Sequence, residues 1–149
     1  MEFVAFTEQQ LIHARNAVEV AQALRAQAKR VIDKLAMFSQ DDFIQRNWGL
    51  SISPSDDGQT AELKNPFGAA RADFAVHLGD EGLFGRYVIQ RLGKDHLDRV
   101  IWRDVWAFRI DNEDRVTFGD KGDRGFEIWA PVREDYFRLL ESIAVAVGQ

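Results

Sequence analysis

The chain has no cysteine, which excludes disulfides, thiolate metal ligands and cysteine nucleophiles. Only three of its 149 residues are proline, and with 46% hydrophobic and 29% charged residues it has the composition of an ordered globular protein. No apolar run approaches the roughly 18 residues of a membrane-spanning helix. The opening "MEFVAFTEQQ" has neither the basic segment nor the apolar stretch of a secretory signal, so a cytoplasmic location without membrane contact is expected. Basic stripes are missing too. A net charge of −5 speaks against nucleic acid as a partner. GxGxxG, GxxxxGK and GxSxG are all absent, so nothing points to a cofactor or a serine hydrolase. His13, His77 and His96 are dispersed, and no metal site is expected. In "GDKGDRG", Asp120 and Asp123 lack the ligand series of a calcium loop and read as turn residues.

What is present is one domain's length of chain with its acidic excess at the C-terminal end. Residues 1–47 carry six acids and six bases, 48–94 carry six and five, and 95–149 carry twelve and eight. Thr7 with Gln10 forms a capping box, and good helix formers follow to about Phe38. Along this stretch Ala14, Ala17, Ala21, Leu24, Ala28, Val31, Leu35 and Phe38 make a heptad seam. The seam packs either on the chain's own sheet or on a second copy, a homodimer through the N-terminal helix. Strand runs then alternate with turn chemistry, near 48–53, 60–64, 70–78, 83–92, 97–110, 115–118 and 126–129. Their connections are too short for helical crossovers, so the strands pair antiparallel. A last helix follows Pro131, with Tyr136, Leu140, Ile143 and Val147 on one stripe. The expected fold is therefore a single α+β domain over 1–149. It has an N-terminal strand and helix region (1–47), an antiparallel meander of six or seven strands (48–130) and a C-terminal helix packed on the sheet (131–149). In element order this resembles helix-grip folds, and the resemblance implies a curved sheet enclosing a hydrophobic ligand.

Two hairpin loops set a register. Read as a loop, "GDEG" places Leu78 opposite Leu83, Val76 opposite Gly85 and Phe74 opposite Tyr87. Reading "GKDH" as a four-residue loop places Leu92 opposite Leu97, Tyr87 opposite Trp102 and Gly85 opposite Asp104. Together they build an apolar face that includes Trp102 and Trp106, with Asp104 between them. Three readings of Asp104 follow: a β-bulge near 103–105 turns it to solvent, its carboxylate serves a structural hydrogen bond, or it sits in a pocket walled by Trp102, Trp106 and Tyr87 with space left by Gly85.

The opposite face collects Arg71, Asp73, His77, Arg86, Arg99, Arg103 and Arg109. On the same register Arg86 faces Arg103, an arrangement that calls for a carboxylate or an anion near both. Arg86, Arg99 and Arg103 are the candidate anion or partner face. Asp104 and the pair Asp73 and His77 are the only acid–base candidates. With catalytic motifs absent and an acidic C-terminal rim present, the expected function is a non-enzymatic protein-interaction module, an adaptor or inhibitor-like partner. The alternative is a small-ligand-binding protein or enzyme with its pocket near Asp104 and Gly85.

Overall fold

The structure is a computed structural model that describes residues 2–122 and 124–149, apart from the side chain of His13. Asp123 lies outside the described residues. The architecture is α+β. Helices α1 (Glu8–Ala14), α2 (Ala17–Ser39) and α3 (Asp42–Asn47) precede seven strands, and α4 (Arg133–Gly148) closes the fold. The strands are β1 (Ser51–Pro54), β2 (Thr60–Lys64), β3 (Ala70–Gly79), β4 (Gly82–Lys94), β5 (Val100–Asp111), β6 (Arg115–Phe118) and β7 (Gly125–Glu127). They form one antiparallel sheet in chain order. No described helix is long and apolar enough to cross a membrane.

The Thr7 cap forms as expected: Thr7 Oγ1 accepts from the Gln10 N–H at 3.2 Å, and Gln10 Oε1 accepts from the Thr7 N–H at 2.8 Å. The single long helix does not. Asn16 leaves helical geometry and becomes the N-cap of α2, its carbonyl accepting the Val20 N–H at 3.0 Å. Asparagine competes poorly inside a helix because its amide can bond nearby backbone, although at Asn16 the side chain makes no capping hydrogen bond. From Leu24 to Leu35 the heptad seam is buried, with Leu24, Ala28, Val31 and Leu35 packed on the chain's own sheet, and Phe38 is partly buried against the same core. α4 adds Tyr136, Leu139, Leu140, Ile143 and Val147 to the same core.

The space between sheet and helices is filled by side chains. Phe74, Tyr87 and Phe108 stack in series, with ring centroids 4.8 and 5.0 Å apart. The Tyr87 hydroxyl reaches the carbonyls of Ala28 (2.9 Å) and Gly58 (2.6 Å), tying α2 and the β1–β2 turn to the sheet. Gly58 is required at that contact: its φ is +74°, and a Cβ would stand 2.7 Å from Lys29 Cα.

Register in the β3–β4 hairpin is as expected, with Leu78 opposite Leu83 and Phe74 opposite Tyr87. The β4–β5 register is different. Leu92 faces Trp102 rather than Leu97, Tyr87 faces Phe108 rather than Trp102, and Gly85 faces Ile110 rather than Asp104. Two local causes add up. The turn comprises Asp95–Arg99: the Asp95 carboxylate accepts the N–H groups of Leu97 and Arg99, both at 2.9 Å, and Asp98 adopts φ +61°. This self-closing aspartate turn extends β4 to Lys94. Second, the register slips by one between Ile89 and Gln90, leaving Val105 as the extra residue of a β-bulge.

Candidate functional site

The bulge divides the side chains of β5 between two faces. Trp106, Phe108 and Ile110 pair with the inward-facing Ile89, Tyr87 and Gly85 and belong to the core side. Val100, Trp102 and Asp104 pair with Lys94, Leu92 and Gln90 and point outward. The pocket expected around Gly85, Tyr87, Trp102, Asp104 and Trp106 is therefore split by the sheet itself. At Gly85 there is no vacant space, since the Phe74 ring occupies it: a Cβ there would lie 2.2 Å from Phe74 Cζ. Tyr87 is fully buried, and burial pushes its phenol well above the usual range.

Asp104 is exposed and accepts from Gln90 Nε2 at 2.7 Å, as the bulge reading expected. A polar ladder continues across the outer face. Gln90 Oε1 accepts from Arg71 Nε at 2.8 Å, Arg71 Nε also lies 3.4 Å from Asp73 Oδ2, and the Arg71 guanidinium sits 4.0 Å above the Trp102 ring. Beside this stack runs an open groove of about 580 Å³, lined by Thr60, Glu62, Lys64, Arg71, Asp73 and Trp102. Asp73 turns to Arg71, whereas His77 packs on Phe84 with ring centroids 5.6 Å apart, so the two do not form an acid–base pair.

The three candidate arginines of the anion face are dispersed. Arg86 faces Arg109, not Arg103. The carboxylate that such a pair requires comes from Asp120 in the β6–β7 connection. It accepts from Arg86 Nε (2.8 Å), Arg86 Nη2 (2.7 Å) and Arg109 Nε (3.1 Å). The two hydrogen bonds from Arg86, aided by the one from Arg109, pull the Asp120 carboxyl down to about 2, and the bond to Asp120 raises Arg86 above its usual value. Arg99 is paired with Asp95 at 2.8 Å within the hairpin turn. Arg103 lies across from Arg91 on the helix side of the arm, and its guanidinium donates to the Lys94 carbonyl. Among the described residues, no three His, Asp or Glu side chains are grouped to hold a metal ion.

The main unforeseen feature is the backbone edge of β5. Among the described residues β6 pairs with β5 only at Phe108, Arg109 and Ile110, and the Gly119 N–H adds one bond to the Ala107 carbonyl. From Val100 to Asp104 the side of β5 away from β4 has no backbone partner among the described residues. Parity of the ladder fixes which groups are free. The Leu92 N–H donates to Ala69 at 2.9 Å, toward β3, and the Asp95 N–H donates to Arg99 at 2.9 Å. Arg91–Arg103 and Gly93–Ile101 are thus the mutually hydrogen-bonded pairs of the arm, and the N–H and C=O groups of Val100, Trp102 and Asp104 point to the open side. Val100 is 64% exposed there, and Leu97 at the turn 61%. On the helix side the edge continues into an open groove of about 450 Å³ between Val105 and Trp106 and the α4 residues Glu141, Ser142 and Val145.

No protein-family model, curated protein or solved structure matches this chain.

Proposed function

We propose that the chain is a non-enzymatic protein-interaction module that receives an extended segment along the open edge of β5. One observation carries this reading: three consecutive outward-pointing pairs of N–H and C=O groups, at Val100, Trp102 and Asp104, lie beside an exposed aliphatic residue and a tryptophan braced by Arg71. A strand laid on such an edge gains main-chain hydrogen bonds irrespective of its sequence, and alternate side chains supply specificity. Here the outward side chains of the guest would lie against Val100, Trp102 and Asp104. The others would turn toward Val105, Trp106 and the α4 groove. Tryptophan at the centre of a contact supplies a large, stiff surface at low entropic cost, as binding anchors do.

Val100→Pro tests the reading, because the Val100 N–H faces the open side and the substitution removes an edge donor without removing an internal bond. Random extended peptides selected on the wild-type protein should bind the variant at least about tenfold more weakly, roughly 1.4 kcal/mol. A thermal melt confirms that the variant is folded. Peptides that bind both proteins equally well would refute the edge as the docking element.

A further inference from the structure

Resting on the reading of β5 as a docking edge, we infer that its occupant is a second copy of this chain, paired antiparallel β5 to β5 about a two-fold axis at Trp102. The argument comes from complementarity of the edge with itself. In an antiparallel pair with the two-fold at one residue, positions equally far on either side of it face each other. With the axis at Trp102, Trp102 faces its counterpart and Val100 faces the partner's Asp104, so all three outward-pointing residues of each copy become mutually hydrogen-bonded pairs. Between them Ile101 faces the partner's Arg103, and no like charges are opposed.

Neighbouring registers fail on charge or geometry. An axis at Ile101 sets Arg99 against the partner's Arg103, an axis at Arg103 sets two arginines together, and an axis at Asp104 sets two carboxylates together. Placing it at Val100 sets Trp102 against Asp98, whose φ of +61° takes it out of strand geometry. The Trp102 register alone satisfies every free group of the stretch. It is bounded at one end by the hairpin turn and at the other by the Val105 bulge, so the ladder cannot extend. Isologous pairing also closes on itself: each copy covers the other's free stretch of β5, which then has nothing left to offer a third copy.

Sedimentation velocity over a concentration series should show a monomer–dimer equilibrium for the wild type. Trp102→Pro, which deletes the donor at the axis but no internal bond, should shift the dimerisation constant at least about a hundredfold, while thermal melts confirm folding. The absence of cysteine allows a direct register test. A Trp102→Cys variant should oxidise to a covalent dimer, its two Cα atoms standing about 5.5 Å apart. Val100→Cys should not, because the two copies of residue 100 stand about 14 Å apart in this register. The inference is overturned by a wild type that stays monomeric, by a dimer that Trp102→Pro leaves intact, or by Val100→Cys that cross-links as fast as Trp102→Cys. A monomeric wild type that still binds extended peptides, with Val100→Pro abolishing it, would overturn self-pairing while leaving the docking edge in place.

Discussion

Replacing Asp120 by Asn removes the charge that holds Arg86 and Arg109 together across β4 and β5. The magnitude follows from the carboxyl itself. Lowering its pKa from 3.8 to about 2 corresponds to about 2.4 kcal/mol of preference for the charged form in the folded state. With 41% of the side chain exposed, screening reduces this to about 1 kcal/mol. The sign is set by the direction of the shift. A carboxyl whose folded value lies below its unfolded value stabilises the fold above about pH 4, and that stabilisation is lost as pH falls toward 2. Asp120→Asn should therefore lower stability by about 1 kcal/mol near neutral pH, a fall of about 2–4 °C in Tm. The gap to wild type should narrow below about pH 4. Urea unfolding followed by tryptophan fluorescence at a series of pH values measures both quantities. Equal stability at neutral pH, or a gap that stays constant down to acid pH, would refute the clamp.

Tyr87→Phe leaves the buried carbonyls of Ala28 and Gly58 without their shared donor and should cost about 1–3 kcal/mol in urea unfolding. Gly85→Ala drives a methyl group into the Phe74 ring and should cost about 1–3 kcal/mol, visible as a lower Tm and altered near-ultraviolet dichroism of the Phe74–Tyr87–Phe108 stack. By contrast Asp104→Asn, exposed on the outer face and still able to accept from Gln90, should change stability by less than about 0.5 kcal/mol.

Strand positions from residue 48 onward were legible because turn chemistry punctuates this part of the chain heavily and the connections leave no room for crossovers, whereas the strand expected ahead of the first helix does not form: residues 2–7 belong to no strand. The β3–β4 register was legible because Gly79 and Gly82 pair directly and leave two residues for the turn. The β4–β5 register was not, because "GKDH" attracts attention through its glycine while the turn is closed by aspartate. A repeated signal lay in the chain. "DHLDR" (95–99) and "DNEDR" (111–115) share one spacing, and in both the first aspartate accepts the amides two and four residues on while the second adopts φ +61°. Reading the second turn from the first would have set Ile110 opposite Val116, as observed. That Arg86 faces an arginine and needs a carboxylate was legible, although the register named Arg103 where Arg109 stands. The source of that carboxylate was not, since Asp120 lies 34 residues away and reaches the arginine only through the β6–β7 connection.

The turn and the bulge together explain why an aspartate stands between two tryptophans. With the Asp95–Arg99 turn alone, period-two alternation would carry the outward sense of Val100, Trp102 and Asp104 along the whole strand and expose Trp106, Phe108 and Ile110. Burying those three is worth several kcal/mol, about 1.5–3 for each large side chain, so an uninterrupted strand would rotate the arm inward instead. One extra residue, Val105, removes the conflict: the body of β5 faces the core while the arm keeps Trp102 in the open. Asp104 sits at the reversal, where its carboxylate meets Gln90 rather than the core. The bulge therefore serves packing and the proposed docking edge at once, because the residue that returns β5 to the core also ends the pairable edge at Asp104 and limits what can be added to it.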